Sequence, residues 1–183
     1  NTRRKFIKDM SLGITGFTIG GIGMSKSSYS RIIGANERVR IGVVGIKSHG
    51  FAHIKNYAPL KDVEIAALCD VDENLFPERI KWLEENGRAK PVLFTDIRDL
   101  LNIKDIDAVD VVTTNHWHAL AGIWAVMAGK HVTIEKPATH NVFEGRQLIN
   151  AAKKYKKLIE QHAERLWFPG FKSAMEFIQY CGL

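Results

Sequence analysis

Cysteine is almost missing from this chain. Cys69 and Cys181 are the only two in 183 residues, and a pair so far apart makes no disulfide framework. Both are expected to be free thiols. A strong apolar run is missing too. Met10 to Met24 carries no charge but is short and rich in Gly and Thr, too weak to cross a bilayer. Excess charge is missing from the body of the chain. The formal net charge is +6, but residues 1–35 hold six basic residues and one acid, leaving 20 basic against 19 acidic residues elsewhere. A nucleic-acid partner therefore loses its electrostatic footprint. The cluster Lys153-Lys154-Tyr155-Lys156-Lys157 falls where a helix should end, and cations there complement the helix dipole.

What the first residues do contain is a basic head. Thr2-Arg3-Arg4-Lys5-Phe6-Ile7-Lys8 precedes the mild apolar stretch. Twin arginines, a spacer and Phe before such a stretch are similar to a twin-arginine export signal. The plainer alternative is a basic amphipathic start. On the export reading, residues 1–34 are signal and linker, cleavage falls in Ser25 to Ser30, and the protein is periplasmic. No cysteine follows the stretch to take a lipid.

Beyond residue 35 the periodicity predicts alternating strands and helices. Strands are expected at 39–45, 63–69, 92–94, 108–113, 131–135 and 158–161. Helices are expected at 49–57, 74–86, 97–102, 116–128, 141–155 and 172–180, with Gly87 and Gly129 as stops. The continuous apolar strands imply burial on both faces. The fold class is therefore α/β, a doubly wound parallel sheet of Rossmann type. The dinucleotide-binding domain is expected over 35–165.

The first strand runs into Gly45-Ile46-Lys47-Ser48-His49-Gly50. A dinucleotide fold wants G-x-G-x-x-G between strand and helix. Gly45 and Gly50 match its first and third positions; Lys47 occupies the middle one. Lys47 either obstructs the pyrophosphate or reaches a phosphate oxygen, and a tight turn without a ligand is the plain alternative. Asp70 ends the second strand, 20 residues after Gly50, where a carboxylate accepts from the adenosine ribose and repels a 2′-phosphate. NAD is thus favoured over NADP.

Val132-Thr133-Ile134 leads into Glu135-Lys136-Pro137. Ligands of such sheets bind beyond the carboxyl ends of the strands, and Pro137 forces a turn there. Lys136 is the candidate acid/base group, its proton affinity expected to be tuned by desolvation beside Glu135. His116 and His118 have a metal-like spacing, but no Cys or carboxylate follows within ten residues, so no metal is expected. Trp117 and Trp124, seven apart, read as helix packing against the core. His53, His131, His140 and His162 read as structural.

Taken together, Thr114-Asn115-His116-Trp117-His118-Ala119-Leu120, Ala128-Gly129-Lys130-His131-Val132, Glu135-Lys136-Pro137 and His140-Asn141-Val142-Phe143-Glu144-Gly145-Arg146 resemble the Gfo/Idh/MocA oxidoreductases, in particular their exported branch. The resemblance implies that Lys136 contacts nicotinamide and substrate, with a cis peptide before Pro137. It places cofactor contacts at Gly45, Lys47, Ser48, His49 and Gly50, at Asp70, at Thr113, Asn115 and His118 after the fourth strand, and at Glu135 and Lys136. Thr114 departs from the family's usual proline, and Glu164-Arg165 from its usual Asn-Arg. The implied activity is NAD-dependent oxidation of a sugar or polyol. The alternatives are an NAD-dependent glycosidase working by transient oxidation and elimination, and an inactive cofactor-binding fragment. A second, open-faced domain with most substrate contacts would begin over 166–183, and a homo-oligomer would assemble through it.

Overall fold

A computed structural model describes residues 38–163 and 169–181. The expected export signal and the Glu164-Arg165 pair lie outside the described residues. Among the described residues, no helix is long and apolar enough to cross a membrane.

The chain alternates as read. Strands β1 (Val39–Val44), β2 (Val63–Cys69), β3 (Val92–Phe94), β4 (Ala108–Val111), β5 (His131–Ile134) and β6 (Ile159–Gln161) all pair in parallel. The sheet order is β3-β2-β1-β4-β5-β6, the doubly wound order of dinucleotide folds. Helices α1 (Ser48–Tyr57), α2 (Phe76–Glu85), α3 (Ile97–Leu101), α4 (Asn115–Met127) and α5 (Val142–Tyr155) connect or flank the strands, and α6 (Pro169–Cys181) follows. All residues of α6 are exposed.

The later parts of β1 and β2 are apolar without alternation because both faces are covered; β5 alternates, and β4 carries Asp110. Ile41, Val43, Ile65 and Leu68 pack with Ile54 of α1 and with Phe76 and Leu83 of α2. Val44, Val109, Val111, Val132 and Ile134 pack with residues of α3, α4 and α5. Local signals set the element ends. Asn141 accepts from the Glu144 amide, and the Glu144 carboxylate accepts from the His140 amide, which satisfies donors at the start of α5. Gly87 and Gly129 take left-handed conformations, as their stop positions require. Lys130, just after, is buried, and its ammonium donates to the carbonyls of Ile103 and Lys104.

Register matters most for the site. Val44 pairs with Cys69 and with Val111, Val111 pairs with Ile134, and Ile134 pairs with Gln161. The residues that follow these, Asp70, Gly45, Val112, Glu135 and His162, therefore form one row along the carboxyl edge. Gly45 sits at φ +85, and a Cβ there would lie 2.6 Å from the Val112 carbonyl oxygen. At Gly50 a Cβ would lie 1.8 Å from the Gly45 carbonyl oxygen. Only glycine lets α1 start so close to the end of β1. Gly50→Ala should therefore lower stability by about 1–3 kcal/mol in urea unfolding. Gly170→Ala, where a Cβ meets nothing within 4 Å, should not destabilise. Equal midpoints for the Gly50 variant and the parent would show that the loop and helix are not in contact.

Candidate functional site

A crevice of about 690 Å³ opens along this edge, within the range of small-molecule sites. The β1–α1 loop forms one wall through Gly45, Lys47, Ser48, His49 and Gly50; Asp70 and Thr113 lie on others. The sequence thus brings the glycine loop, the end of β2 and the loop after β4 to one place. Asn115, His118, Glu135 and Lys136 are not among its walls.

Lys47 precedes α1 in an extended conformation, φ −71 and ψ −172, so its backbone has no need of glycine. No acidic side chain occupies the first turn of α1, and the amides of a helix start point at whatever anion lies there. Asp70 does two things. Its Oδ2 accepts from the Ile46 amide at 2.8 Å and its Oδ1 from the Asp72 amide at 3.0 Å. A carboxylate has about four lone pairs, so it holds the loop and still has capacity for a ribose. These residues fit a dinucleotide: the glycines clear the backbone, and an acceptor stands at the end of β2.

Several expectations need correction. Trp117 is 43% exposed and lines the crevice with Trp124, their rings 6.2 Å apart. It lies in the first turn of α4, so it faces the crevice instead of the core. His118 is 1% exposed. Its Nδ1 lies 2.7 Å from the Pro137 carbonyl oxygen and its Nε2 2.9 Å from that of Thr113. The ring straps two loops together and does not border open space. Lys136 is exposed, so the expected desolvation is absent. Glu135 reaches the Lys136 backbone amide, at 2.8 Å, and not the ammonium. The Lys136–Pro137 peptide is cis.

The largest surprise lies behind Lys136. His53, read as merely structural, is 2% exposed. Its Nδ1 is 2.8 Å from Asp110 Oδ2 and its Nε2 3.3 Å from Glu135 Oε1. His49 Nε2 and His162 Nδ1 approach the same Glu135 oxygen at 3.1 and 3.5 Å. Thr133 donates to Asp110. Burial works against ionisation of Glu135, yet the Lys136 amide, His49 and His53 together hold its carboxyl below the usual range. Burial likewise opposes protonation of His53, but Asp110 and Glu135 outweigh it and raise its pKa. The available signal was the i, i+4 spacing of His49 and His53 on one helix face, together with Glu135 and His162 directly after neighbouring strands.

Residues 39–162 match a family described as an oxidoreductase family with an NAD-binding Rossmann fold. The chain belongs to the Gfo/Idh/MocA oxidoreductases. It is 30% identical over 172 residues to an alpha-N-acetylgalactosaminidase of Shewanella oneidensis, covering 85% of this chain and 38% of that protein. It is 30% identical over 171 residues to a glycosyl hydrolase family 109 protein of Shewanella pealeana, with the same coverage. Among solved structures it is similar to scyllo-inositol dehydrogenase from Lactobacillus casei with bound NAD(H) and scyllo-inositol. That match has a TM-score of 0.67 and 25% identity, over 78% of this chain and 41% of that one. A biliverdin reductase from Synechocystis in complex with biliverdin and NADP+ shares the fold at 22% identity and a TM-score of 0.61, over 68% of this chain and 37% of that one. The Gfo/Idh/MocA chain described here spans about two fifths of the length of the curated relatives it matches.

Cys69 also lines the crevice. Burial first, then Asp70, pushes its thiol up to about 12, which leaves almost no thiolate at neutral pH. A thiol reagent at pH 7.5 should therefore modify Cys181, which is exposed, and spare Cys69 until the chain is denatured. Rapid labelling of Cys69 in the native chain, mapped by peptide mass, would contradict the burial.

Proposed function

We propose that this chain is the NAD-binding half of an oxidoreductase acting on a sugar or polyol. The observation that carries this reading is the single edge on which Gly45, Gly50 and Asp70 meet. Gly45 and Gly50 admit the pyrophosphate to the start of α1. Asp70 accepts from the adenosine ribose, and its charge disfavours a 2′-phosphate, hence NAD over NADP. Bound nicotinamide supplies the hydride acceptor. The chain's own residues bind and orient. Lys136, exposed at the turn after β5, would take the proton of the substrate hydroxyl when the carbinol is oxidised. Pro137 and His118 fix the turn that carries it.

A second reading is favoured by the relatives called family 109 glycosyl hydrolases and alpha-N-acetylgalactosaminidase. In that reading the same hydride step is transient. The sugar would be oxidised, the aglycone eliminated with a neighbouring C–H proton, water added across the resulting double bond, and the carbonyl reduced again by the same hydride. Net NADH production separates the two readings: a dehydrogenase accumulates it, a glycosidase does not. Residues 1–34 are proposed to be a twin-arginine export signal followed by a linker, which would place the protein in the periplasm.

In a full-length parent, Lys136→Ala should lower kcat by ~10²–10⁴-fold, the usual contribution of acid–base catalysis, while the Kd for NAD+ stays close to the parent's. Unchanged kcat would remove Lys136 from the reaction; lost NAD+ binding would make it a cofactor clamp. Titration calorimetry should show tighter binding of NAD+ than of NADP+, and Asp70→Ala should narrow that gap. Equal affinities in the unmodified chain would sink the role given to Asp70. The 183-residue chain alone should bind NAD+ without turning over sugar.

A further inference from the structure

His49 also lines the crevice, but dinucleotide binding gives no role to the convergence of three histidines on Glu135 behind Lys136. Three imidazole nitrogens, His49 Nε2, His53 Nε2 and His162 Nδ1, converge on one carboxylate oxygen, Glu135 Oε1, at 3.1, 3.3 and 3.5 Å. His49, His53 and Glu135 each offer a donor atom, and these atoms lie within 4.8 Å of one another. Two of the nitrogens, His53 Nε2 and His162 Nδ1, are buried with no hydrogen-bond partner. Buried polar atoms rarely go unpaired, and here both orphans face the same point. A zinc ion with ligands at 2.0–2.1 Å in a tetrahedron sets neighbouring ligand atoms about 3.3 Å apart. The three nitrogen-to-Oε1 distances bracket that spacing; His49, His53 and Glu135 already stand as one group, and His162 joins it from 3.5 Å off Oε1.

We propose that His49, His53, His162 and Glu135 form a binding site for a divalent transition metal of the zinc type. The donor set decides the class of ion. Three imidazoles and one carboxylate suit zinc and its first-row neighbours, whereas calcium and magnesium take oxygen ligands. The surroundings are those of a metal ligand shell. Asp110 Oδ2 takes the Nδ1 proton of His53 at 2.8 Å, which leaves the Nε2 lone pair free for the ion. This is the carboxylate–histidine–metal arrangement. Thr133 donates to the other Asp110 oxygen at 2.8 Å. The Lys136 amide occupies Glu135 Oε2 and leaves Oε1 to coordinate. The His49 side chain is 55% exposed, which provides the entry path. Four protein ligands make a closed site, structural in kind. It joins α1, the end of β5 and the segment after β6 directly beneath the Lys136 turn. The site does not rest on the oxidoreductase reading, and its test needs no turnover.

The chain, stripped with a chelator and dialysed, is titrated with Zn2+ and separately with Co2+. One ion should bind per chain, and Co2+ should give the intense visible absorption of a tetrahedral site. The double variant His49→Ala/His162→Ala leaves the buried His53–Asp110 pair in place and should lose this binding. Asp110→Asn should weaken it by roughly 10–100-fold, the usual effect of an outer-shell partner. His162→Ala alone, outside helix and strand, is the variant to use if the double one unfolds, judged by circular dichroism. Zn2+ should also raise the melting temperature of the unmodified chain and not that of the variants. The proposal is overturned if the chain binds Zn2+ no tighter than His162→Ala, or if bound Co2+ shows only the weak spectrum of an octahedral ion.

Discussion

Glu135 is the group on which the carboxyl edge of the sheet depends. Its backbone amide continues the ladder to Val111. One carboxylate oxygen holds the amide of Lys136 and the other faces His49, His53 and His162. A carboxylate that is 6% exposed is costly to bury unless it is paired. Here it is paired with groups from α1 and from the segment after β6. His53 extends the tie to Asp110 at the middle of β4. Removing Glu135 would leave polar nitrogens buried around a void, and the turn bearing Lys136 would lose one of its two anchors. The other anchor is His118, which joins the Pro137 carbonyl to that of Thr113.

The parallel sheet makes such a meeting possible. Every strand ends on the same edge, so residues 24 positions apart, such as Ile46 and Asp70, or 86 apart, such as His49 and Glu135, become neighbours. The helix that follows β1 brings its positive end to the middle of that edge. Gly45 and Gly50 bring it within contact of β1. The result is a crevice walled by the glycine loop, with Lys47 and His49, and by Asp70 on the β1–β2 side, and by Trp117 and Trp124 on the α4 side.

Much of this was legible. The later parts of β1 and β2 are apolar on both faces, and that continuous pattern is visible in Ile41–Val44 and Ile65–Cys69. Stops at Gly87 and Gly129 and the cap at Asn141 have local causes, so the element order was readable. Gly45, Gly50 and Asp70 sit at fixed offsets within one strand–helix–strand unit and were readable for the same reason. What spacing does not carry is the direction of a side chain. Lys136 was expected to be desolvated, but the turn at Pro137 directs it outward. Trp117 was expected in the core, but the first turn of α4 overhangs the crevice. His118 was expected to border the crevice, but two backbone carbonyls claim its ring. The His53–Asp110–Glu135–His162 group was only faintly signalled, by the His49/His53 spacing, because its members are scattered from 53 to 162. Only the strand register brings them to one level.

The central claim is that the edge of the sheet is a dinucleotide site. Hydrogen exchange of the chain with and without saturating NAD+, read by mass spectrometry on peptides spanning 44–51, 68–73 and 111–116, tests it most directly. The account predicts slower exchange in these three segments on adding NAD+, and unchanged exchange in α2 and the N-terminal half of β1. No protection there, or protection confined to other segments, would contradict it.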